Sequence, residues 1–244
     1  MEVPVVESIP LRGLREVTTR GNVEALNIPQ LTSSSEIDMA EFVKFRRSLV
    51  PEIEKKYGIH VTYTHFFLKA AAQTLGEYPI LNSRLVNDEI RVYGQINIGL
   101  VTSLPPEDIM VAPVVRDVDK HSIVEVAREA NKLVKKVRTY DERTGRYGLR
   151  REDGEGITFC LSNMGMFGDK GLSKPLLTPE YNAILLTGVI EERPVVRNGK
   201  IIAKPMMNVT MTINHRVRNA VTLTRFLQSF AEILENPQEL ELGI

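Results

Sequence analysis

The pattern of apolar and polar positions predicts four amphipathic helices. In each segment apolar side chains recur every three or four residues, which places them on one helix face. Asp38 and Ser122 stand where helix N-caps are expected, and Gly58 stands where the first helix should end. The four helices are predicted after Asp38, over Thr64–Glu77, from Ser122 to Val137, and from about Ala220 to Glu235.

Short runs of apolar and β-branched residues predict strands, which dominate the last hundred residues. Asn198-Gly199, between apolar flanks, predicts a tight hairpin turn. Residues 1–27 give no clear pattern, and the charged, glycine-containing stretch 139–156 predicts a short helix with exposed loops. The pattern predicts one α/β domain. Strands are expected at 28–37, Glu89–Val92, Ile96–Thr102, Ile109–Val115, Ile157–Leu161, Asn182–Val189 and Met207–Ile213.

Composition narrows the function classes. Of the 244 residues, 31 are Lys or Arg and 31 are Asp or Glu, so net charge gives no reason to expect nucleic acid or an anionic membrane as partner. No run approaches the ~18 apolar residues of a spanning helix. The N-terminus carries Glu2 and Glu7 and is unlike a signal peptide. The lone Cys160 suits a reducing compartment, and we expect a cytoplasmic protein.

The chain has four histidines, and one of them stands apart. No His-x-x-x-His pair or Cys/His cluster occurs, so no metal site is predicted. His60 is expected to be exposed, His65 to pack or cap at a helix start, and His121 to lie in a polar turn. His215 lies where an apolar strand meets the last helix. Such a histidine either points one ring nitrogen into a cleft or simply bonds to its own turn, and position alone leaves both open.

The residues around His215 carry a family resemblance. Residues 214–220 resemble the Asp-His-Arg-x-x-Asp-Gly motif of dihydrolipoamide acyltransferases, the core subunits of 2-oxo-acid dehydrogenase complexes. Further weak motifs follow in the family's order over nearly the whole chain, and such an ordered set is far more specific than one motif. They are Leu11–Arg15, Ile28–Thr32, Glu36–Asp38, Phe66–Ala70, Tyr78–Asn82, Asn97–Gly99, Val111–Val115 and Thr158–Gly165.

The resemblance implies a fold and an assembly. It implies an α/β, chloramphenicol acetyltransferase-like two-layer sandwich, with a mixed β-sheet packed against helices, in a homotrimer. Residues 1–244 would form a single catalytic domain with 1–10 as an N-terminal arm. No lipoyl domain and no peripheral subunit-binding domain is expected. Apolar C-terminal residues join trimers into larger cages in this family, and the candidates here are Leu240, Leu242 and Ile244.

The resemblance also implies a mechanism. His215 would be the general base that takes a proton from the thiol of coenzyme A or dihydrolipoamide, and Ser162 would donate a hydrogen bond to the oxyanion. The two residues would come from different subunits. CoA would be a substrate, any lipoyl group would be supplied in trans, and no metal is implied. The alternative for Ser162, from residue type alone, is a turn serine that caps its own backbone; the matching motif context favours the donor role.

Several departures from the family pattern bear on the site. Asn214 replaces the motif's first Asp. Asn219, the third predicted site residue, replaces its second; it can still cap the last helix, but it cannot pair with an arginine such as Arg15. Ala220 replaces Gly, which is costly at positive φ and favourable as a first helical residue.

Two further departures concern the early motif and a loop. Gln30 replaces a histidine, and Leu104–Asp108 differs from the family's loop, so no CoA-contact residues are assigned. Two function classes stay open. One is an active CoA-dependent acyltransferase, and the other is a catalytically impaired homologue that serves as a trimeric or cage-forming structural core.

Overall fold

The computed structural model describes residues 3–104, 109–141 and 146–244, and its helices follow the predicted pattern. Residues 3–10 are exposed and form neither helix nor strand. The predicted bounds are met within a few residues for α2 to α5, whereas α1 falls where the pattern was silent. The α-helices in these ranges are α1 (Leu14–Ala25), α2 (Ala40–Tyr57), α3 (Tyr63–Glu77), α4 (Ile123–Arg138) and α5 (Ala220–Glu235).

Strands lie at every predicted position, although the one predicted over Ile109–Val115 is two short strands separated by Ala112 and Pro113. They are β1 (Gln30–Asp38), β2 (Ser83–Val86), β3 (Glu89–Val92), β4 (Ile98–Leu104), β5 (Ile109–Val111), β6 (Val114–Val115), β7 (Tyr140–Asp141), β8 (Arg146–Tyr147), β9 (Phe159–Asn163), β10 (Ala183–Thr187), β11 (Glu191–Arg197) and β12 (Lys200–Asn214).

The main sheet is mixed, as expected. Its strand order is β1-β12-β10-β9-β4-β5, with β11 added to β12 and β6 to β4. The central strand β9 runs parallel to β10 and β4, and the other pairings in this sheet are antiparallel. Two short hairpins, β2–β3 and β7–β8, lie outside it.

Successive side chains of β12 point to opposite faces of the sheet. Val209, Met211 and Ile213 belong to the main core cluster, which also contains buried residues of α2, α3, α4 and α5. The intervening Thr210 and Thr212 face the other way, where their hydroxyls bond to Ser34 at 2.6 Å and Thr32 at 2.9 Å. A second, smaller cluster covers part of that face and comprises Ile28, Cys160, Leu177, Tyr181 and Ile184.

Local signals explain the elements that were predicted well. Ser122 Oγ accepts the Glu125 amide hydrogen at 3.3 Å, and the Glu125 carboxylate accepts the Ser122 amide hydrogen at 2.8 Å, which makes a capping box at the start of α4. Gly58 ends α2 at φ 65°. Asn198 and Gly199 both have positive φ, as a two-residue hairpin turn requires.

The stretch 139–156 departs from its prediction. Its described part forms the β7–β8 pair and a 3₁₀ turn over Arg151–Gly154, rather than one short helix among loops. The Tyr140 and Tyr147 rings pack against each other, with centroids 4.9 Å apart, and this contact stabilises the pairing of β7 with β8. The charged residues of the stretch give no sign of this pairing in the sequence. Residues 142–145 lie outside the described ranges.

The C-terminal tail requires a correction. Leu240 and Leu242 are buried in the protomer's own core, and the Leu242 carbonyl accepts the Ile123 amide hydrogen at 2.8 Å. The prediction that these two leucines reach a neighbouring trimer is therefore wrong, because their apolar surface is already used. Ile244, with 52% of its surface exposed, remains available for such a contact.

Candidate active site

His215 lies on the turn that follows β12, with its ring held by backbone. Its amide hydrogen bonds to the Pro29 carbonyl at 2.8 Å, and Nδ1 lies 3.1 Å from the Arg218 carbonyl oxygen. Because a carbonyl only accepts, Nδ1 must carry the proton in this contact. In the neutral ring Nε2 then keeps its lone pair, and His215 is exposed on the surface of the protomer. This is the tautomer a general base needs.

Asn214 organises the turn that carries His215. Its backbone carbonyl accepts the Val217 and Arg218 amide hydrogens at 2.9 and 3.4 Å. Its side-chain oxygen accepts two hydrogen bonds from Arg216, from the amide at 3.1 Å and from Nε at 3.2 Å. The residue is buried and fully engaged without any negative charge, so asparagine suits this position.

Asn219 stands at the N-cap of α5, as predicted, but its side chain makes no capping hydrogen bond. The side chain therefore does not fill the capping role that its residue type allows. Asn219 is exposed. Ala220 is the first residue of α5 and is not among the positive-φ residues of the described ranges, so alanine is favourable there.

Ser162 lies within β9, which excludes the interpretation of it as a turn serine. It is 6% exposed, and Val101 of β4 and Leu186 of β10 lie opposite it in the register. Gly165, shortly after it, packs against Gly188 so closely that a Cβ at Gly165 would come within 2.5 Å of the Gly188 carbonyl oxygen. The backbone beyond Ser162 is therefore tightly fixed.

One protomer does not bring Ser162 and His215 together. In the sheet register, Ser162 pairs with Leu186 of β10, and Leu186 pairs with Thr210 of β12. Ser162 therefore lies two strand spacings from Thr210. His215 lies five residues further along the chain than Thr210. At ~3.3 Å per residue and ~4.8 Å between strands, the two residues are roughly 19 Å apart. A hydrogen-bonded site containing both therefore needs a second copy of the chain.

The remaining histidines and the cysteine are placed as packing or surface groups. His65 is buried at the start of α3, where Nδ1 accepts the Thr62 amide hydrogen at 3.0 Å; burial, aided by the charge of His60, lowers its pKa to about 4. His60 pairs with Glu54 at the surface. Burial raises the pKa of Cys160 to about 12, so its thiol stays protonated.

Metal clusters, cavities and membrane-spanning helices are the other features that could indicate a function. Within these ranges, no group of three or more His, Cys, Asp or Glu side chains could hold a metal ion. Two surface cavities of about 590 and 670 Å³ lie there, and neither is lined by Ser162 or His215. Among the helices that the structure describes, none has the length and apolar character needed to cross a membrane.

Gln30 has a structural role. Its side chain donates to the Ala25 carbonyl at 3.1 Å and accepts the Leu177 amide hydrogen at 3.1 Å, which ties β1 to the segment covering the polar face of the sheet. Residues 105–108 of the other departing loop lie outside the described ranges. Asn182, which contacts Asn214, was predicted only as a strand residue, since no motif marks it.

Comparison with known proteins identifies the family. The sequence model of the 2-oxoacid dehydrogenases acyltransferase (catalytic domain) family matches residues 4–242. The chain belongs to this family. The succinyltransferase component of the Haemophilus influenzae 2-oxoglutarate dehydrogenase complex is 31% identical over 97% of this chain and 56% of its own length. The chain spans about half the length of the curated relatives it matches.

Solved structures show the same acyltransferase fold. A probable dihydrolipoamide acetyltransferase from Listeria monocytogenes superimposes with a TM-score of 0.86 at 30% identity, over 97% of this chain and 98% of that one. Azotobacter vinelandii dihydrolipoamide acetyltransferase gives 0.87 at 25% identity, over 97% and 94%. That structure concerns the role of one serine, one histidine and one asparagine in the catalytic mechanism of the Azotobacter enzyme.

Two further structures bear on fold and assembly. The cubic core of a pyruvate dehydrogenase multienzyme complex superimposes with a TM-score of 0.87 at 26% identity, over 97% of this chain and 94% of that one. A chloramphenicol acetyltransferase gives 0.56 at 15% identity, over 89% and 94%, which is a likeness of fold alone. The predicted chloramphenicol acetyltransferase-like architecture is confirmed.

Proposed function

We propose that this acyltransferase-family chain moves an acyl group between coenzyme A and a thiol such as dihydrolipoamide. The observation that carries the proposal is the His215 imidazole, held by the Arg218 carbonyl with its proton on Nδ1 and exposed at a strand-to-helix turn. CoA is a substrate here, and the lipoyl group would arrive on another chain or domain. We place this chemistry in the cytoplasm.

The reaction follows from the acid–base properties of the groups. Free thiols and free imidazoles have pKa values of about 8.5 and about 6.5, so a proton passes from a thiol to a neutral imidazole at small cost. In this chain the accepting atom is His215 Nε2. The thiolate adds to the thioester carbonyl carbon, and the Ser162 hydroxyl donates to the resulting oxyanion. The intermediate then expels the other thiolate, which takes the proton back from Nε2. The attacking thiol has lost its proton, and the leaving thiol is released with a proton. The acyl group has moved from one sulfur to the other.

The site would form between subunits. The separation of roughly 19 Å within a protomer supports a homotrimer in which His215 of one subunit faces Ser162 of the next. Likeness to a cubic core supports a larger assembly, for which Ile244 is the remaining candidate contact in the tail.

The spacing of residues supports the assignment of Ser162, His215 and Asn219 as catalytic. In the Azotobacter enzyme the serine lies 52 positions before the histidine, and the asparagine lies four positions after it. In this chain Ser162 lies 53 positions before His215 and Asn219 four after it. Since Ala220 adopts no positive φ, one argument for an impaired site falls away.

The test is an acyl-transfer assay with acetyl-CoA and free dihydrolipoamide, following new thioester. We expect His215→Ala to lower the rate by about 10²–10⁴ and Ser162→Ala by about 10²–10³, with the assembly intact. His60→Ala, which removes an exposed histidine elsewhere, is the matched control and should leave the rate unchanged.

Two results would overturn the proposal. A wild-type rate that survives His215→Ala would remove the base. A correctly assembled wild-type protein that transfers no acetyl, succinyl or branched-chain acyl group from CoA would favour the structural-core function instead.

A further inference from the structure

We infer that Asn182 is a positioning residue for His215 and acts through the buried Asn214. This inference deepens the proposed function and rests on it for its catalytic part. Asn182 lies just before β10 and beside Asn214 at the end of β12. The Asn214 amide hydrogen bonds to the Asn182 carbonyl at 2.9 Å, and Asn214 Nδ2 lies 3.4 Å from Asn182 Oδ1. Both residues are 3% exposed.

Asn182 is itself anchored to the β2–β3 hairpin. Its Nδ2 donates to Ser83 Oγ at 3.0 Å, and its Oδ1 accepts the Leu85 amide hydrogen at 3.4 Å. The Ser83 hydroxyl in turn donates to the Ile80 carbonyl. Because Ser83 Oγ uses its hydrogen there, it can only accept from Asn182, and this fixes which end of the Asn182 amide points toward Asn214.

The orientation of Asn182 sets the orientation of Asn214. With Asn182 Oδ1 facing it, Asn214 presents Nδ2 on that side and Oδ1 toward Arg216. A flipped Asn214 amide would place its NH₂ group against the Arg216 amide and Nε, which are both donors. The buried chain Ser83–Asn182–Asn214 thus has one complementary arrangement of donors and acceptors.

The same arrangement holds the catalytic ring. Asn214 closes the turn through Arg216 and Val217, and the turn ends at Arg218, whose carbonyl accepts from His215 Nδ1. A shift in this turn moves the acceptor that fixes the tautomer. Displacements of about 1 Å at such positions can cost about 10²-fold in rate.

The first test is Asn182→Ala in the full-length protein. We expect kcat to fall about 10- to 100-fold with KM little changed, since Asn182 is buried and acts on the orientation of His215. Thr212→Val is the matched control, because it also removes one buried side-chain hydrogen bond of β12, to Thr32, but has no link to the turn. It should lower stability to a similar extent and leave kcat unchanged.

The second test reads the tautomer without any activity. Solid-state ¹⁵N spectra of histidine-labelled protein, assigned with His215→Ala, should show His215 as a single Nδ1–H tautomer in the wild type. Asn182→Ala should give a mixture of tautomers. If that variant does not fold, Ser83→Ala takes its place; it removes the anchor of Asn182 together with the hydrogen bond from Ser83 to the Ile80 carbonyl.

A rescue experiment tests complementarity directly. Asn214→Asp removes the Nδ2 donor and sets a carboxylate against Asn182 Oδ1, so kcat should fall. Adding Asn182→Ser supplies a hydroxyl donor to that carboxylate and should recover much of the loss.

Unchanged kcat and an unchanged tautomer in Asn182→Ala, with stability lowered as in Thr212→Val, would make Asn182 merely structural. A changed tautomer in a protein with no acyl transfer would support positioning and contradict the proposed function.

Discussion

At the scale of single residues, a backbone carbonyl sets the chemistry of His215. Arg218 O fixes the proton on Nδ1, so no carboxylate is needed to orient the ring. The ring is therefore oriented although Asn214 and Asn219 stand where the family motif has aspartates. The uncharged Asn214 both accepts from Arg216 and donates to Asn182, which a carboxylate could not do.

Asn219 is expected to serve the reaction rather than the helix. Because its side chain makes no capping bond, Asn219→Ala should change the free energy of unfolding by less than the ~1 kcal/mol that a lost N-cap costs. Acyl transfer should fall about tenfold or more if the amide contacts the reacting groups. Denaturant unfolding and the acyl-transfer assay measure the two effects.

Ser122→Ala is the matched control for Asn219→Ala. Ser122 does cap its helix, so the variant should lose about 1 kcal/mol and keep its rate. If Asn219→Ala instead behaves like Ser122→Ala in both measurements, Asn219 is a cap and has no part in the reaction.

At the scale of elements, local signals decided what the sequence could predict. The boundaries of α4 and the 198–199 turn follow from a capping box and an Asn-Gly pair, which act over a few residues. Helix α1 was missed because Ala25 is its one buried residue, so it has no apolar stripe. The strand predicted over Met207–Ile213 begins earlier, at Lys200, and runs through Pro205, whose carbonyl accepts the Met39 amide hydrogen at 2.8 Å.

The start of α3 should make stability depend on pH. His65 accepts the Thr62 amide hydrogen through an unprotonated Nδ1, and burial lowers its pKa from 6.5 to about 4. Between these values the unfolded chain binds more protons, so the free energy of unfolding should fall as pH drops from 6.5 toward 4. The full effect is about 3 kcal/mol at most.

His65→Gln tests this dependence. Glutamine keeps an acceptor for Thr62 but does not titrate, so the variant's free energy of unfolding should fall less between pH 6.5 and 4. Urea unfolding at several pH values measures it. His121→Gln, at an exposed histidine that does not contribute to the lowered pKa of His65, is the control and should keep a slope close to that of the wild type. Equal slopes for wild type and His65→Gln would contradict the account.

At the scale of the whole molecule, the sequence indicated candidate site residues but not their arrangement. The motifs singled out Ser162 and His215 one at a time. Their separation depends on the register across β9, β10 and β12, which no local pattern encodes. The tail shows the same limit, since apolar Leu240, Leu242 and Ile244 look alike in sequence and only packing distinguishes the buried pair from the exposed residue.

The most direct test of the account is complementation between two inactive variants. His215→Ala and Ser162→Ala chains are mixed in equal amounts, unfolded, refolded together and assayed for acyl transfer. If each site joins His215 of one subunit to Ser162 of the next, every mixed trimer contains one intact site, and activity should return to roughly a quarter of the wild-type level. Each variant refolded alone should stay inactive. Confirmed mixed assemblies that recover no activity would contradict a site shared between subunits.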